Sequence, residues 1–159
     1  MQREMRVAAT AASVNHPSQE LEEQAEKYLT FRVGGDAFAV PFDRVREIMG
    51  VQEITPVPGS FLFMKGVINL RGKIVPVVDL RLKLGLPERE YKLRTCIVVT
   101  QIGKLTMGIV VDSVAEVLVL RAGDIQNGVA KVKGKVKTLL NLDVLLSAEE
   151  MQALAVVCV

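Results

Sequence analysis

The sequence predicts a mainly β protein built from small barrels. Three observations lead there: many short valine-rich runs, tight glycine-containing turns between them, and an internal duplication of the whole pattern. Valine occurs 25 times and isoleucine 8 times in 159 residues. β-Branched side chains suit a pleated sheet. Short strands joined by tight turns exclude a parallel α/β sheet, which needs long helical crossovers.

Residues 1 to 27 read as a loose leader. Within it, Ser18 followed by Glu20, Glu22 and Glu23 predicts a short helix reaching about Lys27. From Tyr28, "YLTFRV" and "AFAVPF" are strands joined at Gly34-Gly35-Asp36. Pro41 to Ile48 predicts a turn of helix, with Asp43 suited to its N-cap. "GVINLR" and "KIVPVVDL" meet at Arg71-Gly72-Lys73, and "RLKLGL" is a second short helix. "CIVVTQI" and "LTMGIVV" are joined at Ile102-Gly103-Lys104. "VAEVLVL" follows, and "KVKTLLNL" begins at the turn Lys133-Gly134-Lys135. Ser147 with Glu150 is a capping box for a last helix to Leu154, so 149–159 are helix and tail.

Shifted by 69, residues 28–48 match residues 97–117 without a gap. Gly34, Asp43, Val45 and Glu47 meet Gly103, Asp112, Val114 and Glu116. Shifted by 62, residues 66–84 match residues 128–146. Gly66, Gly72, Lys73, Leu80 and Leu84 meet Gly128, Gly134, Lys135, Leu142 and Leu146, while Asp79 meets Asn141 and Arg71 meets Lys133. The unit 28–148 therefore holds two copies, about 28–86 and 97–148. Each has about five extended runs, enough to close a small barrel.

Composition narrows the function. Twenty basic residues against 18 acidic give a net charge of +2, too balanced to announce a polyanion partner. His16 is the single histidine, and Cys96 and Cys158 are the two cysteines. A His/Cys zinc site needs about four such ligands, so none is expected, nor any cofactor. No run reaches about 18 apolar residues, and a cytoplasmic protein is the expectation.

Enzymatic motifs are missing: there is no GxxxxGK[ST], GxGxxG or GxSxG. The repeated acids Asp43/Glu47 and Asp112/Glu116 offer acid–base or oxygen-ligand chemistry, but their recurrence fits a duplicated structural turn better. Lys131, Lys133, Lys135 and Lys137 alternate across Gly134 and would share one face of a hairpin. That face reads either as a phosphate-binding stripe or as solvated edge protection. Scarce aromatics favour the second. Glu47 with Arg71, and Glu116 with Lys133, set opposite charges at duplicated positions, which predicts an ion pair in each barrel.

"FMKGVINLRGKIVPVVDLRLKLGL" closely resembles the signature of the CheW family, the coupling proteins of bacterial chemotaxis. "FAVPFDRVREIMG" and "GIVVDSVAEVLVLRAGDI" resemble its flanking blocks, so the similarity covers about 28–148. The resemblance implies two five-stranded SH3-like barrels on a shared core and a non-enzymatic adaptor. Its implied partners are the cytoplasmic hairpin tip of a transmembrane chemoreceptor and the regulatory domain of the histidine kinase CheA. It implies a cytoplasmic protein recruited to receptor arrays. The family's contact motifs fall on Val45, Glu47, Ile48, Gly66, Asn69 and Arg71. The stretch "LVLRAGDIQN" is shorter than the family usually carries there, so the extra kinase contact of that loop is not carried over. A nucleic-acid-binding small barrel, resting on the lysine run, is the alternative function.

Overall fold

The computed structural model describes residues 25–157. His16, Cys158 and most of the helix expected from Ser18 lie outside them. At its far end that expectation is corrected, because Glu26 and Lys27 already belong to a strand.

The strands are β1 (Glu26–Val33), β2 (Asp36–Pro41), β3 (Val45–Gly50), β4 (Met64–Leu70), β5 (Lys73–Asp79), β6 (Cys96–Ile102), β7 (Leu105–Val111), β8 (Ser113–Leu120), β9 (Ile125–Gln126), β10 (Val129–Val132) and β11 (Lys135–Leu139). Helices are short: α1 (Leu80–Lys83), α2 (Leu142–Leu145) and α3 (Ala148–Val157). Asp79 caps α1 by accepting from the Arg81 N–H, and its aligned partner Asn141 caps α2 through the Asp143 N–H. The expected capping box opens α3, with reciprocal bonds between Ser147 and Glu150. The turn of helix expected within Pro41–Ile48 forms as a 3-10 turn, Phe42–Arg44, but Asp43 lies inside it instead of capping it. Valine, isoleucine and methionine then continue as β3.

Two sheets form, in the orders β9-β10-β11-β2-β1-β8 and β3-β6-β7-β5-β4. Neither sheet is one repeat copy. The six-stranded sheet takes β1 and β2 from the first copy and β8 to β11 from the second. The five-stranded sheet takes β3 to β5 from the first and β6 and β7 from the second. The expectation that each copy closes its own barrel is corrected here: the copies exchange strands. Registers obey the duplication throughout. Val77 lies opposite Gly108 in the parallel β5–β7 pair, as Leu139 does opposite Ala39 in β11–β2. Val98 pairs with Ile48 as Leu29 pairs with Val117.

Strand exchange explains the unbroken apolar runs. On β6, Ile97 and Val99 face the interior of the five-stranded barrel, while Val98 joins Leu29, Phe31, Val40, Ile109 and Leu154 in a core shared by both sheets. A strand buried on both faces has no polar face to alternate with. The junction is held at Asp112, between β7 and β8. Its carboxylate accepts from the Gly34 N–H in the turn of the other sheet and from Arg81 Nη1, at 2.8 and 2.9 Å. Its own N–H donates to the Arg32 carbonyl.

Candidate partner-binding site

β3 and β4 are opposite edges of the five-stranded sheet. The sheet curls until they meet, and polar groups join them across the seam. Arg71 Nη2 lies 2.6 Å from Glu47 Oε1 and Nη1 lies 3.4 Å from Oε2, the forked geometry a guanidinium makes with a carboxylate. The hydrogen bond from Arg71 holds the Glu47 carboxyl below its ordinary range, and Glu47 raises Arg71 in turn. Beside them Gln52 Nε2 reaches the Asn69 carbonyl at 3.4 Å. The ion pair expected in the first copy is therefore present.

Arg71 is positioned by the hairpin. Arg71 and Gly72 have φ of 53° and 85°, a two-residue turn whose twist matches the strands. The Asn69 side chain accepts from the Gly72 N–H at 2.7 Å and fixes that turn. Gly66 acts by its lack of a side chain. Its φ is 142°, and a Cβ there would stand 2.1 Å from the Thr55 carbonyl oxygen. Thr55 bridges to Val67 through both backbone bonds and seals the edge of β4.

The six expected site residues thus divide. Glu47, Ile48, Asn69 and Arg71 reach the surface, whereas Gly66 is buried and Val45 packs against the shared core. In the second copy the expected pair is absent: among the described residues no ion pair joins Glu116 to Lys133. The lysine stripe is also corrected. Lys131 lies opposite Val136, and Lys137 opposite Ala130, so the run divides between two faces. Across a two-residue turn, paired residues have opposite parity, so alternate residues on the two strands cannot share a face. The acids Asp43/Glu47 and Asp112/Glu116 do not converge either, because a turn followed by a strand is not one helical face.

Sequence reasoning missed Gln52, the Thr55 bridge and Tyr91. Tyr91 donates its hydroxyl to the buried Asp79 at 3.0 Å, and burial beside that carboxylate pushes its pKa upward. The aligned acids did flag Asp112, but not its role at the junction.

The family profile of the CheW-like domain matches residues 27–150. The chain belongs to the CheW-like family. It is 34% identical to the chemotaxis protein CheW of Rhizobium meliloti, over 79% of this chain and 90% of that one. Against the chemotaxis protein CheW of Thermotoga maritima the identity is 37%, over 72% and 77% of the two chains. The crystal structure of the scaffolding protein TtCheW from Thermoanaerobacter tengcongensis superposes with a TM-score of 0.73 at 26% identity, covering 79% of this chain and 94% of that one. The CheW-like fold accounts for the two barrels and the shared core, and the family is one of scaffolds.

Proposed function

We propose that this chain is a chemotaxis adaptor, coupling transmembrane chemoreceptors to the histidine kinase CheA and carrying receptor control to the kinase. The observation that carries the reading is the Glu47–Arg71 fork across the seam between β3 and β4, with Ile48 exposed beside it. Its oriented charges fix the register of a docked partner, and Ile48 supplies apolar contact. The partners are the cytoplasmic hairpin tip of the receptor and the regulatory domain of the kinase. Glu47, Ile48, Asn69 and Arg71 make contact, while Val45 and Gly66 shape the surface. The role is non-enzymatic. Differential contact with the receptor's signalling states lets the adaptor transmit, not merely tether.

The protein works in the cytoplasm, recruited to membrane receptor arrays. Among the described residues no helix is long and apolar enough to cross a membrane. A nucleic-acid role is not favoured, since the lysines divide between two faces.

The test is calorimetry of the full chain with the kinase regulatory domain and with a receptor cytoplasmic fragment, both from the same genome. Glu47→Lys and Arg71→Glu, each checked for folding, should weaken one partner by about tenfold or more. The double variant, which restores opposite charges, should recover part of the loss. No binding of either partner to the wild-type chain would refute the adaptor reading.

A further inference from the structure

A cavity of about 320 Å³ lies where the two sheets meet. The ends of β5 and β7 and the start of β8 line it, together with Arg81 of α1 and residues 89–95 of the link from α1 to β6. None of the six expected partner-binding residues lines it. The link is tied down. Arg81 Nε donates to the Pro87 carbonyl at 3.1 Å, the Tyr91 hydroxyl to Asp79, and the Lys92 N–H to Thr95 Oγ1 at 2.8 Å. A cavity of this size takes a small organic molecule. Walls already held in place lose little freedom when one binds.

The polar lining offers donors and has little acceptor capacity left. Asp79 accepts from the Arg81 N–H and from Tyr91, and Asp112 from the Gly34 N–H and Arg81 Nη1. The donors are not spent. The Arg81 side chain is only 13% exposed, yet its Nη2 has no partner among the described residues. Arg89 stands 3.9 Å from Asp112, beyond hydrogen-bond reach. Lys92 and Arg94 enter no ion pair among the described residues. Thr95 is 7% exposed, and its hydroxyl proton has no acceptor there. The four cations outnumber Asp79, Glu90 and Asp112 by one charge. Such a lining calls for an anion with several acceptor oxygens. A phosphate monoester presents three, enough to reach guanidinium groups and a hydroxyl together. A carboxylate presents two. The lining also has an apolar share. Val110 is buried, Leu93 is fully exposed, and Tyr91 has its hydroxyl committed to Asp79, which leaves its ring for contact.

We propose that this cavity is a binding site for a small organic phosphate monoester, its phosphate held by Arg81, Arg89, Arg94 and Thr95 and its apolar body set against Tyr91 and Leu93.

Calorimetry of the full chain with phenyl phosphate, inorganic phosphate and benzoate tests it, and amide shifts in two-dimensional NMR locate the bound probe. Phenyl phosphate should bind saturably, more tightly than the other two, and should shift the amides of residues 89–95 and Ser113. Arg94→Glu, at an exposed position of the link, should weaken it by about tenfold. Lys135→Glu, the same charge change on the exposed β10–β11 hairpin, should leave it within about twofold. Circular dichroism checks that both variants fold. No saturable binding, shifts confined to other residues, or equal weakening by the two variants would overturn the site. Benzoate binding as tightly as phenyl phosphate would overturn the choice of phosphate, and inorganic phosphate doing so would overturn the apolar subsite. Neither partner protein enters the experiment, so its failure leaves the adaptor reading standing, and failure of that reading leaves this site untouched.

Discussion

Glu47 and Glu116 stand at duplicated positions, but they are held differently. In the five-stranded sheet the lock is on the surface, between the side chains of Glu47 and Arg71. In the six-stranded sheet the hold on Glu116 is on its backbone, inside the β1–β8 pair. Thr30 donates its hydroxyl to the Glu116 carbonyl at 2.8 Å and accepts from the Glu116 N–H at 3.0 Å, at the bulge where β1 and β8 shift register. The counterpart of Thr30 is Val99, which has no hydroxyl to offer. A duplicated fold therefore demands equal registers without demanding equal polar contacts.

The comparison breaks hardest at the glycines. Gly66→Ala should destabilise by about 3 kcal/mol or more, since the new Cβ meets Thr55 backbone and the φ is unfavourable. Gly128→Ala, its counterpart, has φ of 76° but nothing within 4 Å of the added atom, and should cost about 1 kcal/mol. Urea unfolding followed by circular dichroism measures both, there being no tryptophan to report. Equal losses would mean that the Thr55 crossing does not set the glycine requirement.

The junction acids come next. Asp112→Ala removes the partner of Arg81 and of the Gly34 N–H and should cost about 2 kcal/mol. Asp43→Ala, at an exposed position, should stay within about 0.5 kcal/mol by the same unfolding assay. A reversed order would place the inter-sheet tie elsewhere. Thr30→Val keeps the shape but leaves two backbone groups of Glu116 without the hydroxyl, and should cost about 1 kcal/mol. Hydrogen exchange at Glu116 should accelerate in that variant; an unchanged rate would show that the bulge holds itself.

The smallest effect is electrostatic. Glu47 is depressed chiefly by its hydrogen bond from Arg71. A depressed carboxyl contributes its stabilisation above the ordinary glutamate pKa of about 4.3, and loses it as pH falls through the lower folded value. Carboxyl NMR titration should find the Glu47 midpoint below that ordinary value and see it rise in Arg71→Leu. An unmoved midpoint would mean that the fork is not populated in solution.

Much of the fold was legible because its signals are local. The turn pairs Arg71-Gly72 and Lys133-Gly134 predict hairpins, and both hairpins form in register. Ser147 and Glu150 predict a capping box, and it forms. Glu47 and Arg71 were found by duplication alone. The same logic failed for Glu116 and Lys133, because repetition reports the equivalence of positions and not the contacts made at each one. The helical turn expected within Pro41–Ile48 forms as a 3-10 turn at Phe42–Arg44 and goes no further, because Val45 to Gly50 pairs with β6.

The sequence by itself determined most of the strands, the turns, the duplicated order and the family, since alternation, glycine placement and repeat offsets are properties of neighbouring residues. Only the tertiary structure decided which strands pair. A valine-rich strand presents the same backbone groups to any neighbour, so its partner is chosen by how both sheets bury their apolar faces together. That choice exchanged strands between the copies. It set Asp112 at the junction, divided the lysines between two faces, closed one seam with a surface ion pair and, among the described residues, left Glu116 and Lys133 outside any ion pair.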